Sequence, residues 1–218
     1  MQEKNPRGKF ITIEGLEGVG KSTNVSLVRN QLTDAGHEVI VTREPGGTKI
    51  GEGIRDLLLN PEFGGFDPKS IGMDPVAELL LIFAARRQHV AELIEPALRQ
   101  GKWVVSDRFT DSSYAYQGGG RGLPTSLIAD LERLSIDAFA PDLCILLDMN
   151  PGKGLARASQ GDLVDRFEAE SNEFFDAVRE AFLARAKDSP RHSIVDASQP
   201  IAAVQRQITK IIQELLQG

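Results

Sequence analysis

The stretch Phe10-Ile11-Thr12-Ile13-Glu14-Gly15-Leu16-Glu17-Gly18-Val19-Gly20-Lys21-Ser22 decides the fold. An apolar run of strand length enters a glycine-rich turn that closes on Lys-Ser. An amphipathic segment, Lys21 to about Ala35, follows and stops at Gly36. Gly15 to Ser22 has the spacing G-x-x-x-x-G-K-[ST], set between a predicted strand and a predicted helix. Glycine here lets successive backbone N–H groups face one concave nest, and the helix N-terminus adds the positive end of its dipole. The stretch therefore predicts a nest for the phosphates of a purine nucleoside triphosphate, made by Gly15, Leu16, Glu17, Gly18, Val19, Gly20, Lys21 and Ser22. Lys21 is expected to reach the β- and γ-phosphates, and the Ser22 hydroxyl to ligate Mg²⁺.

Four more apolar runs of strand length follow: Val39–Thr42, Trp103–Val105, Leu143–Leu147 and Ser193–Val195. They are near-continuously apolar rather than alternating, as parallel strands covered on both faces are. Helical patterns separate them, at Pro75 to about Arg99, Glu168 to about Lys187, and Ile201 to Leu216. The alternation predicts an α/β chain with the three-layer P-loop NTPase fold, a five-stranded parallel sheet flanked by helices. Length and the lack of an interdomain linker predict one domain over residues 1–218. Asn60–Met73 and Ser159–Val164 read as mobile loops.

Of 218 residues, 25 are Lys or Arg and 31 are Asp or Glu, a net charge of −6. That balance excludes a broad nucleic-acid-binding surface, which needs a basic field. The single cysteine, Cys144, lies inside an apolar run, so a buried, inert thiol in a reducing compartment is expected. The longest apolar stretch, Leu79–Ala85, is too short to cross a bilayer. Met1–Lys9 has no signal-peptide pattern. A cytoplasmic protein without a membrane partner is expected.

The residues beyond the strands narrow the chemistry. No guanine-reading Asn-Lys-x-Asp occurs, and no Asp-x-x-Gly follows the second strand, which excludes a GTPase. Instead the second strand leads into Arg43-Glu44-Pro45-Gly46-Gly47-Thr48 and the third into Ser106-Asp107-Arg108-Phe109. Then come Ser112-Ser113-Tyr114-Ala115-Tyr116-Gln117-Gly118-Gly119-Gly120-Arg121-Gly122, while the long helix carries Phe83-Ala84-Ala85-Arg86-Arg87. In this order the segments resemble the bacterial thymidylate kinases, which phosphorylate dTMP with ATP. Physical reasoning adds that Asp107, at the carboxyl end of a parallel strand, stands where ligands bind in open α/β sheets and can hold Mg²⁺ through water. Arg108 beside it can clamp phosphoryl oxygens.

The resemblance implies a role for each further residue. Lys21, Asp107, Arg108 and Arg157 would be catalytic. Glu17 would bind the acceptor sugar's 3′-hydroxyl, Arg55 its phosphate, and Glu44 would orient Arg108 or the metal shell. Arg86 would meet a thymine carbonyl, with Ser113, Tyr116 and Gln117 around the base and sugar; Arg121 would also reach the acceptor phosphate. A ring usually stacks on thymine four residues before the arginine. That position is Ile82 here, so either Phe83 swings in or an aliphatic face covers the base. A lid over about 152–166 would close the site; either Arg157 serves both adenine and the γ-phosphate or Arg108 and Lys21 carry the charge alone, with Asp196–Pro200 closing over adenine. The partners implied are ATP, dTMP and a second copy of the chain, docked through the Pro75–Arg99 helix. Two rivals stand beside this reading. A deoxynucleoside kinase would take a hydroxyl acceptor and want a carboxylate base. A nucleotide-binding switch would bind both nucleotides with negligible turnover.

Overall fold

All five apolar runs are strands: β1 (Phe10–Gly15), β2 (Val39–Arg43), β3 (Trp103–Asp107), β4 (Leu143–Asp148) and β5 (His192–Asp196). In the computed structural model, which describes residues 7–60, 72–137, 139–158, 166–167, 170–187 and 189–217, they pair in parallel in the order β2-β3-β1-β4-β5. Burial follows position. Central β1 is buried throughout, whereas edge strands β2 and β5 are half-covered. Along β1 the side chains alternate between faces. Ile11 and Ile13 enter a core with Val28, Leu32, Phe175, Val178 and Ile208, while Phe10 enters a second core with Val90, Ile94, Leu98 and Val104. Helix–sheet–helix layering is the result.

The helices are α1 (Lys21–Asp34), α2 (Lys49–Leu59), α3 (Pro75–His89), α4 (Glu95–Arg99), α5 (Thr110–Ser113), α6 (Thr125–Ile136), α7 (Pro151–Ala158), α8 (Asn172–Ala186) and α9 (Ile201–Gln217). Of these, α2, α5, α6 and α7 do not stand out in the apolar pattern. The predicted helix Pro75–Arg99 forms but is not uniform. A π-helical turn over Val90–Ile94 joins α3 to α4, with the Glu95 N–H donating to Val90 O, and Pro96 brings no N–H to the ladder. Caps place the helix starts. The Asp74 carboxylate accepts from the Val76 and Ala77 N–H groups ahead of Pro75, and Thr48 Oγ1 accepts from Gly51 N–H.

Strand order places the site. The chain leaves β1, passes the position that β3 fills to make β2, and later returns to the other side of β1 as β4. Ligands bind at such a reversal, outside the carboxyl ends of the strands. Register aligns those ends: Ile13 and Arg43 both lie opposite Asp107, so Glu14, Arg108 and Glu44 stand in one row at that edge of the sheet. Of the two stretches read as mobile loops, residues 61–71 and 159–164 lie outside the described residues, as do residues 159–165 of the expected lid.

Candidate active site

The glycine-rich turn between β1 and α1 has positive φ at its glycines, a conformation that side chains rarely adopt. Gly15 has φ +136° and a Cβ there would stand 2.5 Å from Leu147 O; Gly20, at φ +92°, caps α1. Leu16 and Val19 send their side chains into the core, so only their backbone is available to a phosphate. Glu17, Gly18, Gly20, Lys21 and Ser22 line a cavity of about 540 Å³. Lys21 Nζ donates to Leu16 O (2.7 Å) and Gly15 O (3.3 Å), folded back over the nest. Burial, then the neighbouring Arg108 guanidinium, pull its ammonium down to about 8.

Arg108 is the densest junction in that cavity. It sits at φ +71°, and its backbone N–H donates to Ile13 O (3.0 Å) while Ser106 Oγ donates to its carbonyl (2.8 Å). Its Nη1 donates to Gly15 O (2.8 Å) and Ser112 Oγ (3.1 Å), and its Nη2 to Glu17 Oε1 (2.6 Å) and Tyr116 Oη (3.1 Å). The Tyr116 hydroxyl in turn donates to the Glu17 carboxylate. Burial alone would pull the guanidinium down. Tyr116, Glu17, Asp107 and Glu14 outweigh it, so the group stays charged. Burial likewise works against Glu17, yet Arg108 and Lys21 hold its carboxyl below the ordinary range. A fixed cation beside an anion-binding nest is suited to a transferring phosphoryl group.

The far end of the cavity is built on α3. Arg86 is 2 % exposed; its Nε donates to Glu44 Oε2 (2.7 Å), Nη1 to Ser113 Oγ (3.0 Å) and Nη2 to Phe109 O (3.0 Å). Among the described residues these take three of its five N–H groups and leave two for a ligand acceptor. Glu44 corrects an expectation. Its carboxylate does not orient Arg108; its oxygens meet Arg86 and His89 Nδ1 (2.9 Å), which stand three apart on one helical face. His89 Nε2 pairs with Thr42 Oγ1 (2.7 Å) and completes a buried chain.

Phe83 is a second correction. It does not line the cavity; Ile82 does. Four residues before Arg86, Ile82 shares its face, while Phe83 turns into the cluster of Leu79, Tyr114 and Ile128 and puts its ring 4.7 Å from the Arg86 guanidinium. Ser113, Tyr116, Gln117 and Arg55 do line the cavity, Arg55 donating to Pro45 O (2.9 Å). Arg121 does not: it pairs with Glu170 (2.6 Å) and packs over the Phe174 ring. Asp196–Pro200 forms a turn in which Ser198 and Gln199 donate to Asp196, away from this cavity. Arg157 lies on α7, and its side chain falls outside the described residues.

Several supporting residues carried no local sequence signal. Glu14 accepts from the Phe109 N–H (2.7 Å) and Ser112 Oγ (2.6 Å), beneath Arg108; burial, with the Asp111 charge beside it, pushes its carboxyl up. Asp111 takes Arg185, His192 and the Cys144 thiol, tying α5 to α8 and to β4 and β5. Burial, with the Asp111 charge next, pushes the Cys144 thiol well up, as an inert thiol requires. Leu58, Leu59 and Phe167 also line the cavity. For a divalent cation, Asp107 Oδ1 is buried without a hydrogen-bond partner among the described residues, and Ser22 lines the same cavity. A carboxylate and a hydroxyl oxygen are donors that fit Mg²⁺.

Comparison with known proteins decides the family. The thymidylate kinase family model matches residues 13–208. This chain belongs to the thymidylate kinase family. It is 52 % identical over 211 residues to the thymidylate kinase of Pseudomonas fluorescens (strain Pf0-1), covering 96 % of this chain and 97 % of that one. It is 52 % identical over 209 residues to that of Thiobacillus denitrificans, covering 95 % and 98 %. The solved thymidylate kinase of Ehrlichia chaffeensis superposes with a TM-score of 0.74 at 35 % identity, over 95 % of this chain and 99 % of that chain.

Proposed function

We propose that this cavity is where the chain transfers the γ-phosphoryl group of ATP to dTMP. Phosphorylation of dTMP to dTDP with ATP as donor is the activity of its family, and it feeds dTTP synthesis for DNA replication. One observation carries the assignment of the site. A single cavity is lined by Lys21 and Ser22 of the nest, by Asp107 and Arg108 at the β3 end, and by Ile82, Arg86 and Gln117.

The nest and Lys21 hold the donor phosphates through backbone N–H groups and one ammonium. Arg55 holds the acceptor phosphate. Arg108 serves both: its contacts to the neutral oxygens of Ser112 and Tyr116 are weaker than contacts to an anion, and phosphoryl oxygens take them over. The acceptor phosphate is already ionised, so the transfer needs positioning and charge neutralisation rather than a strong general base. Ser22 and Asp107, the latter through water, would hold Mg²⁺, which when bound neutralises charge on the β- and γ-phosphates. Glu17, fixed by Arg108 and Tyr116, keeps lone pairs for the sugar 3′-hydroxyl. Ile82 covers the thymine face, and the spare N–H groups of Arg86 meet its carbonyl. Arg157 completes the γ-phosphate contacts from a lid over about 152–166 of one kinase domain.

No described helix is long and apolar enough to cross a membrane. A cytoplasmic homodimer is the working form, docked through α3, where Leu80 (51 % exposed) and Val76 stand out to solvent, as does Leu57 on the neighbouring α2. The test of the site is a coupled assay with dTMP, dUMP, CMP and thymidine. Turnover is expected to be greatest with dTMP and negligible with thymidine, which lacks the phosphate that Arg55 and Arg108 hold. Thymidine phosphorylated as fast as dTMP would transfer the reading to a hydroxyl-acceptor kinase.

A further inference from the structure

Glu78 is fully buried on α3, yet it does not line the cavity and no role has fallen to it. Both its oxygens are engaged. Oε2 accepts from Arg166 Nη2 (2.5 Å), and Arg121 Nη2 lies 3.4 Å from it. Oε1 accepts from Gln117 Nε2 (2.8 Å) and from Arg121 Nε (3.4 Å). A carboxylate between two guanidiniums is an acceptor only. Gln117 must therefore turn its amide nitrogen to Glu78, whichever way the electron-rich ends of that amide might be drawn. Among the described residues this is the side chain's hydrogen bond, and Gln117 borders the cavity, so the group left for a ligand is its carbonyl oxygen.

We propose that Glu78 is a specificity-determining positioning residue: by locking the Gln117 amide it presents an acceptor to the pyrimidine edge. Thymine carries a donor at N3 and meets that acceptor. Cytosine carries a lone pair at N3 and meets it oxygen to nitrogen, with no proton between. A site built to hydrogen-bond one group rejects the analogue lacking it, because the buried partner is left unpaired. The inference rests on the reading that the base lies at the Arg86–Gln117 end of the cavity.

Glu78→Gln tests it with a directional outcome. Its own carbonyl stays with the Arg166 guanidinium, so its NH2 faces Gln117. Gln117 then turns its carbonyl inward and offers NH2 to the base. The kcat/KM ratio of dTMP over dCMP is expected to fall by about tenfold or more, through acceptor KM with kcat little changed, as for a contact made equally before and during transfer. Glu78→Asp keeps the charge that Arg166 and Arg121 need and retreats from Gln117 by one carbon; it should fold where Glu78→Gln does not, with a few-fold fall in the ratio. Gln117→Leu is measured alongside. If it lowers the ratio while both Glu78 variants that fold leave it unchanged, or lower both substrates equally, the role of Glu78 is overturned. If Gln117→Leu itself leaves the ratio unchanged, the placement of the base fails, and the proposal with it.

Discussion

Replacing Glu44 with alanine leaves the nearly buried Arg86 guanidinium without its carboxylate. The two groups are 2 % and 3 % exposed and 2.7 Å apart. Breaking a buried pair from one side costs about 3–5 kcal/mol, because the remaining charge stays buried without its partner. The same substitution also strips His89 Nδ1 of its acceptor. Arg86→Met leaves the Glu44 carboxylate with His89 and should cost less, about 2–3 kcal/mol. In Glu44→Ala/Arg86→Met neither charge remains, so the double variant should be more stable than the sum of the singles by at least about 2 kcal/mol. Urea unfolding at neutral pH measures all four corners of the cycle. Activity separates the two functions of the pair: the acceptor KM of Glu44→Ala should rise by about tenfold while the KM for ATP stays put, because Arg86 loses its aim rather than its charge. Singles that add within about 0.5 kcal/mol, or a Glu44→Ala cost below about 1 kcal/mol, would refute the claim that this pair is buried and coupled.

Three further outcomes follow from the geometry. Lys21→Ala should lower kcat by about 10³-fold with the melting temperature nearly unchanged, since among the described residues Nζ bonds two backbone carbonyls; near-normal turnover in a steady-state assay would contradict the nest assignment. Leu80→Glu should shift the chain to a monomer in sedimentation velocity, and an unchanged dimer peak would place the interface elsewhere than on α3. Asp111 governs acid stability: burial raises its carboxyl, but His192 and Arg185 outweigh that and hold it below the ordinary range. A carboxyl lowered on folding contributes stability that is present above its unfolded value of about 4 and lost as pH falls through its folded value. Asp111→Asn should therefore be less stable than the parent at pH 7 and show a shallower decline in urea midpoint below about pH 4; parallel acid limbs would count against it.

Much of the molecule was legible along the chain. Strand and helix periods, glycine spacing and the Lys-Ser end of the nest are set by contacts between neighbours, so Phe10–Ser22 already implied a parallel sheet and a triphosphate nest. Asp107, Arg108 and Glu44 were visible too, because each stands at or just past the end of an apolar strand; Glu14 beneath them was not. What tertiary structure alone decided was the pairing of charges. Glu44 with Arg86, Glu78 with Arg166 and Gln117, and Asp111 with Arg185 join residues 39 to 88 positions apart. In a buried site a carboxylate goes to whichever donor the packed helices bring within about 3 Å. The choice between Ile82 and Phe83 had the same origin: one residue is about 100° of helix rotation, and only the position of α6 against α3 determined which of the two faced the cavity.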